Sequence, residues 1–485
     1  MKKIIKWTAA TVGVALLAAV AYVAFNSFDS EEPDLSKFKN PFETPSEADN
    51  VYFGLVAVTN VVNEKTGVSV LAEVFEKHEE AWQKFSHPKK ELSAEEKDAI
   101  LAESAKVLSL FHEAVQRKTW CACDSSGKRT PFSGITTFMR LCKLACLQAE
   151  RNLELGKTDE SIEGVRDMIL LARKVERDAE SGVMWLVAGG VLKNADATAL
   201  KIVRSGKATD EELLRLEDAL LKFDLASRID RAERMLNNDY MVFFGRMTET
   251  IGTSGFSKCL ESMDHSLGGL VIWAMRNMPL FLPYAYHHNR TWATYARYLE
   301  KMKEGYRRGY DKAAWDKIDG EHMEICNAGW RFGPNFMGRK TLECCVPAWR
   351  SIGVNTLTSS FQHSAVETIV AAALFKRKTG AFPRNLSELV PEYLPAVPRD
   401  PFTQGSEMKY DAARGIIWTV GQNGTFNGET VKPRANGKYD SWGKYGKENR
   451  RYVFNIDGTP VDGDGWTAAE RRPPTGCGNL PADTK

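Results

Sequence analysis

From Phe138 to Phe223 the apolar residues return every three or four positions, and this period constrains the fold more than any other feature of the chain. Phe138, Leu141, Ala145, Ala149 and Leu153 line one helical face, and Gly156 supplies a C-terminal stop. After the start signal Thr158-Asp159-Glu160, the stripe repeats at Ile162, Val165, Ile169, Ala172, Val175 and Ala179. Thr209-x-x-Glu212 is a capping box ahead of Leu213, Leu216, Leu220 and Phe223, and Gly206 closes the preceding helix. A helix with a single apolar stripe must bury it against a neighbour, so the pattern predicts stacked amphipathic helices. The fold class expected is mainly α, with a large helical bundle or irregular α-solenoid over 51–355. No repeat of fixed period marks a regular solenoid.

The N-terminus reads differently. Lys2, Lys3 and Lys6 precede an uncharged, mostly apolar run from Trp7 to Phe25, and Asp29, Glu31 and Glu32 follow it. About twenty residues at roughly 1.5 Å each match one hydrocarbon core. Lysines before and acids after predict a transmembrane anchor over 1–28, with a cytoplasmic N-terminus and an exported body. Ala19-Val20-Ala21 also offers a signal-peptidase site, but the apolar run continues beyond it, which favours a retained anchor. Residues 29–50 carry Pro33, Pro41 and Pro45 and suit a juxtamembrane linker. The expected location is the inner membrane, single-pass, with a periplasmic body. Sixty-five basic residues against sixty-three acidic ones leave no net field to draw the chain onto nucleic acid.

After Thr356 the pattern changes. Val366, Ile369, Val370 and Ala373 continue one last helix that ends at Gly380, and Pro383, Pro391, Pro398 and Pro401 then pace an extended loop. Strands are expected at Glu407–Tyr410, Ile416–Val420 and Tyr452–Ile456, with a turn from Asp411 to Gly415. Asp400 precedes Pro401, where its carboxylate can accept backbone N–H groups and fix the turn. Gly380, Phe382-Pro383, Leu386, Leu389-Val390-Pro391, Tyr393-Leu394, Pro398, Asp400-Pro401-Phe402, Tyr410 and Thr419-x-Gly421-x-Asn423-Gly424 together resemble the C-terminal part of type II secretion pseudopilins. The resemblance implies a small pseudopilin-like α+β module over 356–460, followed by a flexible tail over 461–485. The N-terminus lacks the glycine cleavage site and the glutamate of a true pseudopilin, so a filament subunit is not expected. The layout of anchor, helical body and pilin-like tail also resembles envelope proteins of planctomycete-type bacteria, which carries no activity with it.

Three groups of residues could carry chemistry. Cys121, Cys123, Cys142 and Cys146 could bind zinc, form buried thiols or make two disulfides. Export favours the disulfides, because Cys142 and Cys146 share a helical face that could meet the Cys121/Cys123 loop. Glu321, His322 and Glu324 could supply metal ligands or acid/base groups, but a zinc or iron site needs a further ligand. Major pseudopilins bind calcium near their C-terminal strands, and here Asn423 replaces the family's aspartate while Asp457, Asp462 and Asp464 lie further on. Calcium binding is therefore expected to be weak or absent, and no cofactor is required. The aromatic stripe Trp292, Tyr295, Tyr298 reads as core.

No H-E-x-x-H, G-x-S-x-G, G-x-x-x-x-G-K-[ST] or strand-borne G-x-G-x-x-G is present, so no motif assigns an enzyme. The function expected is a membrane-anchored envelope protein, a non-enzymatic scaffold or assembly component partnered by the membrane and by envelope or secretion-system proteins. The alternatives are an extracytoplasmic metal-dependent hydrolase and a solute- or glycan-binding protein with its site in the helical domain.

Overall fold

The computed structural model describes residues 17–34, 36–38, 45–85, 92–122, 134–244, 284–327, 333–403, 405–421, 424 and 453–459. Within them the chain is mainly helical with one small antiparallel sheet. Short helices α1 (Val51–Thr59), α2 (Val70–Lys77) and α3 (Glu79–Phe85) lead into α4 (Ala94–Gln116). The central layer is α5 (Ile135–Glu154), α6 (Thr158–Arg177), α7 (Gly182–Ser205) and α8 (Asp210–Leu221). Then come α9 (Arg228–Asn238), α10 (His288–Arg308), α11 (Lys312–Asn327) and the 44-residue α12 (Phe336–Thr379).

The central helices end where their residues dictate. Every stripe residue expected from Phe138 to Phe223 is buried. Thr209 and Glu212 form the capping box, each accepting the other's backbone N–H, and Ser93 and Glu96 do the same at the head of α4. Gly206 adopts φ 64°, the left-handed conformation that ends α7 without Cβ strain. Short links then fold consecutive helices against each other, and the dominant contacts are α6 on α7, α5 on α6, and α12 on α7.

Buried charge ties the last helices to the first. Glu176 of α6 is fully buried and accepts from Arg228 at 2.6 Å and from Arg231 at 3.1 Å, both on α9. Arg228 also donates to the Thr356 carbonyl at 3.0 Å and to Ser360 Oγ at 2.7 Å on α12. Its guanidinium lies over the rings of Trp185 and Phe223, and Trp185 Nε1 donates to Thr356 Oγ1 at 2.7 Å. Every charged donor and acceptor in the triad is thus engaged, the condition for tolerating ions in a core. Trp315 of α11 seats directly on Gly353 of α12, where any Cβ would run into the indole.

Helix α12 runs without a break through the boundary expected at 355/356. Its later half is deeply buried, with Phe361, Ala365, Val366, Ile369 and Val370 all at 0% exposure, so the helix expected to open the C-terminal module is also core of the helical body. Gly380 ends it at φ 84°, its N–H bonding the Lys376 carbonyl at 2.7 Å. A 3-10 turn at Leu386–Leu389 follows, then β1 (Lys409–Asp411), β2 (Ile416–Trp418) and β3 (Val453–Asn455), paired antiparallel in that order with Tyr410, Ile417 and Phe454 in register. The sheet leans on α12 through Phe454, whose ring lies 5.8 Å from that of Phe361.

Asp400 acts as expected at the entry to this unit. It is 1% exposed and accepts from Phe402 N at 2.9 Å, Val420 N at 2.9 Å and the Thr419 hydroxyl. One carboxylate thereby joins the loop before β1 to the strand end after β2.

At the other end, residues 17–25 are helical, and Leu17, Val20, Tyr22 and Phe25 are more than half exposed. Among the described residues no helix is long and apolar enough to cross a membrane, and residues 7–16 of the apolar run lie outside them.

Candidate functional site

The site is built where the end of the N-terminal helix meets the start of α10. Helix α10 begins after His287, whose side chain makes no cap bond, so its first amides need another acceptor. Asp29 supplies it from 260 residues away: Oδ2 accepts from Asn289 N at 2.6 Å and Oδ1 from Arg290 N at 3.0 Å. These are the second and third helical amides, the ones a local N-cap side chain normally satisfies. Asn289 Nδ2 donates to the Ser30 carbonyl at 2.8 Å, buried His287 donates Nε2–H to the Asn26 carbonyl at 2.9 Å, and Tyr22 meets the edge of Tyr284.

Beside this junction lies a cleft of about 430 Å³, lined by Phe28, Asp29, Ser30, His287, Arg290 and Arg297 together with Ala293. Arg290, Ala293 and Arg297 share one face of α10 by their spacing, and the small alanine leaves room between the two guanidinium groups. Elsewhere on α10 the cations are neutralised: Lys301 by Glu321, Lys303 by Glu300, Arg307 by Glu233 and Arg308 by Glu304. Among the described residues Arg290 and Arg297 have no carboxylate partner, and Arg290 lies near enough to Arg339 to add to the burial that lowers the latter's pKa.

The residues singled out from the sequence stand elsewhere. His322 is 3% exposed, its ring 4.6 Å from that of Tyr298, and burial pushes its pKa down to about 4, so it is neutral. Glu321 turns instead to Lys301, whose hydrogen bond holds its carboxyl below the usual range, and Glu324 is exposed. The described residues thus do not gather Glu321, His322 and Glu324 around an ion, and no cluster of three or more His, Cys, Asp or Glu among them could hold a metal. Asp457 is exposed and accepts from Thr459 N at 2.9 Å, which makes it a turn residue, while Asn423, Asp462 and Asp464 lie outside the described residues.

Of the readings open for the cysteines, the described residues show buried thiols at Cys142 and Cys146. Cys142 and Cys146 carry free thiols, and no bond joins either to Cys121; Cys123 lies outside the described residues. The shared helical face turns into the core: both are buried, and Cys146 Sγ contacts Met168 Sδ at 3.0 Å on α6. Desolvation raises both thiol pKa values well above the ordinary one. Trp292, Tyr295 and Tyr298 are buried as core, with the Tyr295 hydroxyl 3.1 Å from Asp239 Oδ2.

A second polar cluster sits where α7, α8 and α12 meet. His363 is fully buried, with Nδ1 2.7 Å from Asp196 Oδ1, and it donates Nε2–H to the Leu220 carbonyl at 3.1 Å, with Glu367 3.4 Å away. Both nitrogens face acceptors, so the ring is an imidazolium: the neighbouring carboxylates overcome desolvation and hold its pKa at about 9. Glu217 is also buried, and desolvation with the nearby Glu367 raises its carboxyl to about 8. This cluster is enclosed by helices and reads as an internal clamp.

The sequence missed Asp29, Arg290 and Arg297 as a unit. The available signal was an arginine pair seven residues apart across an alanine; the contact with Asp29 spans too much chain to be read from spacing. Protein-family models, curated proteins and solved structures give no match to this chain.

Proposed function

We propose that the chain is a membrane-anchored extracytoplasmic envelope protein, a non-enzymatic scaffold or assembly component linked to a secretion or pilus-like system. The observation that carries it is the single helix α12, whose later half is at once core of the helical body and the support of the C-terminal sheet. A pseudopilin-like unit built this way has its helix covered by α7 and remains a fixed part of a larger body, which suits docking rather than polymerisation. The basic residues before the apolar run and the acids after it support the anchor, with the N-terminus cytoplasmic and the body periplasmic. Asp29 supports a body held close to that anchor, because it lies four residues beyond Phe25 and caps a core helix.

The test is cross-linking in intact cells followed by purification of the full chain from solubilised envelopes. Secretion-system or pilus-assembly components of the inner membrane are expected among the cross-linked partners. Recovery of cytoplasmic proteins alone, or of the chain alone, would overturn the assembly role.

A further inference from the structure

We propose, resting on the anchored topology above, that the cleft between the N-terminal segment and α10 seats the phosphate of a membrane phospholipid headgroup. Arg290 and Arg297 are its ligands. Four observations converge on this site. Asp29 is four residues past the end of the apolar run, and four extended residues span at most about 14 Å, so the cleft lies at or just above the headgroup layer. Two exposed guanidinium groups face it without a carboxylate partner among the described residues, on a helix whose other four cations are each paired. Guanidinium is the side chain best matched to a phosphate, which it binds through parallel N–H bonds. Phe28 borders the cleft at 78% exposure, an apolar rim beside a cationic floor, as an acyl chain and its headgroup require.

None of the acids nearby pairs with either arginine. Asp29 stays an anion at the edge of the cleft but is turned to the backbone amides of Ser30, Asn289 and Arg290, and Glu31 and Glu32 are exposed beyond Ser30 without an ion pair to either arginine. They give the outer rim a mixed charge that tolerates an ethanolamine headgroup as well as a glycerol one. Seating a lipid here would fix the tilt of the body on the membrane, adding a second point of attachment to the anchor.

The test uses the full chain in nanodiscs made of phosphatidylethanolamine and phosphatidylglycerol, with retained lipid counted by native mass spectrometry. The wild-type chain should keep a bound phospholipid, and R290Q/R297Q should lower its retention about thirtyfold, given the surface attraction of two basic side chains. R290K/R297K, which keeps both charges, should restore part of it. Equal retention by wild type and R290Q/R297Q would overturn the proposal while leaving the anchor intact. Inorganic phosphate that binds in an Arg290- and Arg297-dependent way with no loss of retained lipid would make this a free-anion site and overturn the lipid assignment. A chain that enters no nanodisc of any composition would overturn the anchored topology itself, and this inference with it.

Discussion

The helical body and the C-terminal unit are both secured by buried carboxylates, but over different distances along the chain. In the body, Glu176 holds arginines 52 and 55 residues away, and Asp196 holds His363 across 167. In the C-terminal unit, Asp400 reaches Phe402 two residues on and Val420 twenty on. The body's carboxylates meet charged partners in a dry core, where losing one ion strands the other. Asp400 meets mostly neutral N–H and O–H groups, so its removal breaks hydrogen bonds without stranding a charge. The contrast says that the body is the more brittle region and the C-terminal unit the more tolerant one.

The largest effect should come from breaking the body's triad. Glu176→Gln leaves Arg228 and Arg231 buried without their counter-charge and should cost about 3–5 kcal/mol, read as a lowered denaturation midpoint of the full chain. A loss below about 1 kcal/mol would mean that the arginines relax to other acceptors, and the contrast between the regions would fail.

Asp400→Ala comes next. Three hydrogen bonds to one buried carboxylate, lost together, should cost about 3 kcal/mol, more than the roughly 1 kcal/mol one turn bond would suggest. Hydrogen exchange should rise in 399–420 while α5 to α7 keep their protection. Uniform loosening of the whole chain would show that the two regions unfold as one.

The pH response tests the join between them. Glu217 and His363 both have folded pKa values above their ordinary ones, near 8 against 4.5 and near 9 against 6.5. Groups of this kind bind protons more tightly when folded, so their contribution is whole below the unfolded values and is lost as pH rises through the folded ones. Asp239, raised by burial to about 7, adds to the same trend. The melting temperature should fall progressively between about pH 4 and pH 9, the Glu217 part of the fall lying between about pH 4.5 and pH 8, and Glu217→Gln should flatten that part. An unchanged slope in the variant would remove Glu217 from the pH response.

What the sequence revealed follows the same division. The stripes from Phe138 to Phe223, the Thr209–Glu212 box, the Gly380 stop and the Asp400 turn are all set by residues within a few positions of each other, and local physics decides them. The strands at 416–418 and 453–455 fall inside the expected segments, and the one at 409–411 runs one residue past its expected end, into the turn expected from Asp411. Glu176, Asp196 and Asp29 gave no such signal, because their partners lie 52 to 261 residues away and are chosen by packing. The cysteines and the Glu-His-x-Glu group mark the limit of spacing for a related reason: it can place side chains on one helical face, but burial decides whether that face meets a partner thiol, an ion or, as for Cys146, a methionine.

The most direct test of the central claim is topology. A reporter enzyme that works only outside the cytoplasm, fused after Lys485, should be active, and a cytoplasm-specific reporter at the same position should be silent. The reverse pattern would contradict the exported body, the anchor and every role proposed at the membrane.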